Sequence, residues 1–269
     1  MSAEVERAIR EIRATYSKKG RQSLGLCSLE GLRVFERAVA SQAAITCALA
    51  DEAFRGDPSE RYVRMRAALD SRGITPLAIS DERMLELTGG RQLGGLIGLA
   101  ELPGERSLAE VLAASACAPT PLLMVAGVGF NDPGNVGALI RTGHASGVCA
   151  VLAVGCTDAF HPRAVRTSMG SVFRIPVVNL PDVASLAKAL AENGVRSIGA
   201  VTSGGIPLPE VQKSAQPSAV VMGSEAFGLS DEEQALLDEL ATIPMTASVD
   251  SYSVNAAAAV MLYEMRRPA

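Results

Sequence analysis

The sequence predicts an α/β protein organised around a parallel sheet with helices on both faces, and three observations carry that reading. In the second half, near-continuous apolar runs (PLLMVAGV, VCAVLAVG, VRSIGAVTS, SAVVMGSE and ATIPM) alternate with helical stretches. That is the pattern of parallel strands covered on both sides. Hydrophobic residues make up 48 % of the 269 positions and charged residues 20 %, which suits a packed core and argues against disorder. A stretch rich in proline and glycine near residues 103–121 divides this half from an earlier, less regular one.

Taken in order, the first half opens with a helix over residues 3–16, then a strand around LGLCS, a helix LEGLRVFERAVA and a strand AAITCALA. A charged helix PSERYVRMRAALDSRG, a strand TPLAIS and the apolar GGLIGLAEL follow. Short strands with intervening helices predict a small α/β domain over 1–103. The linker, 104–120, holds Gly104 and Pro119 around one short helix. The second domain spans 121–269, with helices beginning near Asn135, Pro162, Asp182 and Asp231 and a last one near Ser251.

The composition excludes several classes of function. The five cysteines (Cys27, Cys47, Cys117, Cys149, Cys156) are odd in number and widely spaced, so they read as free thiols, three of them in apolar runs. With two histidines, His144 and His161, and no clustered ligands, no metal site is expected. No apolar run reaches the length of a membrane span, and the start MSAEVERAIREIRATYSKKGRQ is charged, so a soluble, cytoplasmic protein without a membrane partner is predicted. The net charge of −4 counts against a nucleic-acid partner, yet Arg7, Arg10, Arg13, Lys18, Lys19 and Arg21 crowd the start. These six fit a solvated helix face as well as an RNA-binding arm. Arg163, Arg166 and Arg174 recur mid-chain, and for the first two phosphate contacts and local ion pairs are equally expected.

Ligands of parallel sheets bind at the loops beyond the carboxyl ends of the strands, and three such loops stand out. In GVGFNDPGNVGALIRTGHASG, Pro133-Gly134 forces a turn and Asn135 is the expected helix cap. Arg141, nearly two turns on, is placed on roughly the same side of the helix as Asn135, and an arginine in so apolar a stretch needs an anionic or polar partner. In VVMGSEAFGLS, glycines flank Ser224-Glu225-Ala226-Phe227 without the basic residue of a phosphate cradle. In IPMTASVDSYSVNAAAA, the last helix opens on Asp250, Ser251, Tyr252, Ser253 and Asn255, far more polar groups than one cap requires.

Together, in this order and spacing, the three loops resemble the signature motifs of the SpoU/TrmH branch of the SPOUT methyltransferases, which methylate the ribose 2′-hydroxyl of RNA with S-adenosylmethionine. The resemblance covers residues from about 121 to 266 and includes the connecting segment HPRAVRTSMGSVFRIPVV. The first half, with EGLRVFERAVA and RQLGGLIGLAEL, resembles the L30e-like RNA-recognition domain of the rRNA-directed members. The resemblance implies a deep trefoil knot, an active site completed across a homodimer of the C-terminal domain, and S-adenosylmethionine held by Met222, Gly223, Ile243, Met245 and Tyr252. Thr202 and Ser253 are further candidates for that pocket. The motif residues Asn135, Arg141, Glu225 and Ser251 match as catalytic, with Arg141 stabilising the 2′-oxygen as its proton is lost. Arg163, Arg166, Arg7, Arg10, Lys18 and Lys19 are the candidates for RNA contact.

Where the family's third motif reads Ser-Leu-Asn, this chain has Ser251-Tyr252-Ser253. Asn255 is not expected to substitute, because two helical residues amount to about 200° of rotation. The function expected is ribose 2′-O-methylation of RNA, rRNA before tRNA. A catalytically silent RNA-binding relative and an unrelated Rossmann-type enzyme are the competing readings. Binding of S-adenosylmethionine separates the last from the first, and methyl transfer to RNA separates the other two.

Overall fold

The computed structural model describes residues 2–117, 121–246 and 249–267; Pro119 of the predicted linker lies outside them. The chain forms two compact units, one of residues 1–104 and 160–173, the other of 105–159 and 174–269.

The first unit begins with α1 (Ala3–Ala14), which buries Val5, Ala8, Ile9 and Ile12, one stripe at helical spacing. It continues through α2 (Lys18–Leu24), β1 (Leu26–Glu30), α3 (Leu32–Ala40), β2 (Ile45–Ala50), α4 (Glu52–Gly56), α5 (Glu60–Asp70), β3 (Leu77–Ala78), α6 (Asp81–Leu87) and β4 (Leu96–Glu101). The strands form one sheet in the order β1-β4-β2-β3, with β4 antiparallel to both neighbours. Arg21, grouped by sequence with the surface cations, is in fact buried, and its Nη1 donates to the Thr15 carbonyl at 2.6 Å. Burial of this side chain against the end of α1 is a tertiary feature that charge counting could not show.

The second unit starts with α7 (Leu108–Ser115), held by a Ser107–Glu110 capping box. Next come β5 (Leu123–Val128), α8 (Pro133–Ala145) and β6 (Ala150–Val154). Asp132, not Asn135, caps α8: its carboxylate accepts from Gly134 N, and Pro133 takes the first helical position, where its missing N–H costs nothing. The chain then contributes α9 (Pro162–Thr167) to the first unit, capped by His161.

It returns through β7 (Val177–Leu180), α10 (Val183–Glu192), β8 (Arg196–Val201), β9 (Ile206–Pro207), β10 (Ser218–Met222), α11 (Asp231–Gln234), β11 (Glu239–Thr242) and α12 (Val254–Arg266). The sheet order is β7-β6-β5-β10-β8-β11-β9, and all its pairings are parallel. Met124, Leu152, Ala219 and Val221 are fully buried in its core, as continuous apolar strands require.

The last helix starts at Val254 rather than near Ser251; Ser253 is its N-cap, and residues 249–253 are not helical. Ion pairing of Lys213 with Glu264 at 3.2 Å and a bond from Arg266 to the Gly147 carbonyl hold this helix, which packs on α8. The cysteines are free thiols, and among the described residues no cluster of three or more His, Cys, Asp or Glu could hold a metal ion. Among them, too, no helix is long and apolar enough to cross a membrane.

Candidate functional site

Strand register places the site. Met222 at the end of β10 lies beside Gly127 of β5 and Ala200 of β8, and Thr242 of β11 lies beside Val201. The strands therefore finish nearly level, and their following loops share one edge of the sheet. A cleft of about 880 Å³ opens there.

Three stretches supply its walls. From β10 the backbone runs through Gly223 into a tight loop, closed by Ser224 N to Gly228 O at 3.2 Å and Gly228 N to Ser224 O at 2.9 Å. A Cβ on Gly223 would stand 2.1 Å from the Gly228 carbonyl carbon, so only glycine fits where the loop doubles back. The loop tip presents Glu225, and Phe227 stands 90 % exposed beside it. Ile243 and Met245 follow β11 along a second wall, and Thr202 follows β8. Asp250, Ser251, Tyr252 and Ser253 form a third, leading into α12, from which Asn255, Ala257 and Met261 also face the cleft.

Asn135 joins these stretches. Its Nδ2 donates to Glu225 Oε1, and its Oδ1 accepts from Asn255 Nδ2 at 3.3 Å. The rotation argument against Asn255 fails, because residue 253 stands before the helix and the two positions are not related by helical rotation. Of the polar residues that the sequence singles out there, Asn255 does face a partner: an asparagine on α8 and, through it, the loop after β10.

The electrostatics are one-sided. Glu225, Asp231 and Asp250 line the cleft, and among the described residues that line it there is no lysine, arginine or histidine. Met222, Met245, Ile243 and Met261 add apolar surface. Such a cleft suits a ligand with a cationic centre and apolar parts, and disfavours a polyphosphate or dinucleotide. Beneath it, burial pushes the Cys156 thiol up, and its Sγ lies 3.1 Å from the Gly127 carbonyl, a packed thiol rather than a nucleophile.

Ten predicted residues line this cleft: Asn135, Thr202, Met222, Gly223, Glu225, Ile243, Met245, Ser251, Tyr252 and Ser253. Arg141 does not. It lies exposed on α8, and among the described residues it has no ion-pair or hydrogen-bond partner, so the partner expected from burial is not needed. Six residues turn a helix through about 600°, some 120° short of two turns, so Asn135 faces the cleft and Arg141 a different direction. Asp231, Asp250 and Asn255 were not among the candidates; their signal was charge and amide chemistry flanking loops already singled out.

The predicted RNA contacts belong to the first unit. Arg7, Arg10, Lys18 and Lys19 are exposed on α1 and α2 and have no ion-pair partner among the described residues. Arg163 is exposed on α9. Arg166 pairs with the buried Glu30, which also meets Arg91 at 3.1 Å.

The sequence model of the SpoU rRNA Methylase family matches residues 122–263. The chain is 33 % identical over 221 residues to the 23S rRNA (guanosine-2′-O-)-methyltransferase RlmB of Bordetella pertussis, covering 80 % of this chain and 86 % of that one. It is 36 % identical over 138 residues to the 23S rRNA (guanosine(2553)-2′-O)-methyltransferase RlmP of Bacillus subtilis, covering 50 % of this chain. That match, like several others to curated relatives, spans only about half of the relative's length, 54 % for RlmP. Among solved structures, an AdoMet-bound rRNA methyltransferase from Sinorhizobium meliloti superposes with a TM-score of 0.79 at 26 % identity, covering 96 % of this chain and 93 % of that one. The match over more than half of the chain, and the RlmB similarity across most of both sequences, show that this chain belongs to the SpoU rRNA Methylase family.

Proposed function

We propose that the protein is an S-adenosylmethionine-dependent RNA ribose 2′-O-methyltransferase that acts on rRNA. The observation that carries this is the cleft where Asn135, Glu225 and Ser251 converge, acidic and free of cations, on the sheet of a family whose relatives are named for this chemistry. The donor set fits S-adenosylmethionine: carboxylates offset its positive charge, Met222, Ile243 and Met245 cover apolar parts, and glycine-lined backbone lets a ring lie close. A buried Asn255 Oδ1 without a donor adds an acceptor for an N–H or O–H of the ligand. When bound, S-adenosylmethionine supplies a methyl group on positively charged sulfur.

The protein's part is alignment, exclusion of water and stabilisation of charge. The methyl group would pass to the ribose 2′-oxygen as its bond to sulfur breaks, leaving S-adenosylhomocysteine, with the hydroxyl proton released to solvent. Glu225 and Asn135 position the reacting groups. Arg141 stabilises the developing alkoxide and meets the RNA phosphate; a guanidinium stays charged and acts here as an electrostatic group. Because Arg141 does not line the cleft of its own chain, its placement supports a homodimer in which a second copy completes the site. Exposed Val260 and Tyr263 on α12 provide apolar surface for that pairing.

A deep trefoil knot is the further reading of the second unit, supported by α12 packing against α8, β5 and β10 after the chain has left the β11 side of the sheet. The first unit, L30e-like, is read as the RNA-recognition domain over 1–103, with Arg7, Arg10, Lys18 and Lys19 as its cationic face. Preference for rRNA over tRNA rests on the RlmB similarity, which extends across most of the chain. A cytoplasmic location accords with such a substrate. Calorimetry with S-adenosylmethionine and radiolabelled methyl transfer to rRNA test the proposal together. Binding with transfer supports it, binding without transfer indicates a silent RNA-binding relative, and absence of binding overturns it.

A further inference from the structure

Asn255 on α12, Asn135 on α8 and Glu225 on the loop after β10 come from distant parts of the chain, and two hydrogen bonds tie them: Asn255 to Asn135, and Asn135 to Glu225. The bonds span 120 and 90 residues of sequence. Their direction is fixed by chemistry. An ionised carboxylate only accepts, so Glu225 turns the amide NH2 of Asn135 towards itself. The Asn135 oxygen then faces the other way and requires a donor, which Asn255 provides with its own NH2. The oxygen of Asn255 is left buried without a donor.

We propose that Asn255 is a positioning residue of this site: it holds the Asn135 amide, and through it the Glu225 carboxylate, in one orientation before a ligand binds. This rests on the methyltransferase reading and gives Asn255, through its Nδ2, a positioning task beside the acceptor role of its Oδ1. α12 is itself anchored by the Lys213–Glu264 pair at 3.2 Å, so Asn255 works from a fixed base. Asn255 meets the Asn135 oxygen through its NH2 alone, which makes an exchange of that group for oxygen informative. In Asn255→Asp an acceptor replaces the donor and opposes the Asn135 oxygen, and the relay is broken with almost no change in volume.

The test uses the full chain. Asn255→Asp is expected to weaken S-adenosylmethionine binding and to lower kcat for methyl transfer at least about tenfold, with the thermal midpoint little changed. In an Asn135→Ala background the same substitution should add nothing, because the link is already cut. The milder Asn255→Ala should shift the Asn135 side-chain amide resonances in nitrogen-edited NMR spectra, a readout independent of turnover. Additive losses in the two backgrounds, or unmoved Asn135 resonances, would overturn the relay. Absence of binding and transfer in the unaltered protein would overturn the enzymatic reading instead, and the NMR comparison would still judge the relay.

Discussion

In the first unit the Glu30 carboxylate, 3 % exposed, is met by Arg91 and by Arg166, and burial together with Glu30 pushes the neighbouring Tyr16 hydroxyl pKa well up. In the second unit Glu225, Asp231 and Asp250 line a cleft whose lining includes no basic side chain, while Arg141 stands exposed on α8 without a partner among the described residues. The two units place charge differently: Glu30 is buried, whereas Glu225, Asp231, Asp250 and Arg141 are exposed. One neutralises its charge internally, and the other leaves charge for something else to meet. Internal neutralisation marks architecture, and uncompensated charge gathered at strand ends marks a site.

Substitutions can break this contrast. The largest effect is expected at Arg141: Arg141→Ala should lower methyl transfer about 10²–10³-fold while S-adenosylmethionine binding, read by calorimetry, persists. In the first unit, Glu30→Gln removes the shared anion and leaves two guanidinium groups facing each other. A loss of about 3 kcal/mol in urea unfolding is expected. Gly223→Ala drives a Cβ into the Gly228 backbone and displaces the Glu225 loop; ligand affinity should fall roughly tenfold, about 1.4 kcal/mol.

A shallower effect comes from His144, whose pKa is lowered by burial, with Arg174 adding to the shift. The folded protein then binds fewer protons than the unfolded chain. This contribution is complete above the unfolded histidine pKa of about 6.5 and is lost as pH falls below it. Unfolding midpoints measured from pH 7.5 to 5 should decline, and His144→Gln should flatten that part of the curve. Least of all, Arg64→Ala cuts the exposed pair with Glu60 and should change stability by no more than about 0.5 kcal/mol.

The sequence made the second unit's sheet legible because its strands are buried on both faces, and continuous apolar runs such as SAVVMGSE have few other uses. The cleft was legible for a related reason: a parallel sheet gathers its loops at one edge, so three polar loops after strands had to be neighbours. What escaped were features set by tertiary context. The strands β7 and β9 span only Val177–Leu180 and Ile206–Pro207, too little for periodicity to register. The short helices α2, α4 and α6 were hidden in the same way. Asn135 offered cap chemistry, yet Asp132 before a proline was the better cap. Asn255 was discounted on helical rotation, and the helix proved to begin between the two positions compared.

The contribution of residues 160–173 to the first unit bears on the order of events during synthesis. Arg166 lies 136 residues after Glu30, so a ribosome has translated far into the second unit before this counterion exists. Until then the nascent domain carries a carboxylate whose burial is only half compensated, and its final closure waits on chain that belongs, by sequence, to its neighbour. A fragment cut at residue 104 would be frozen at that earlier stage.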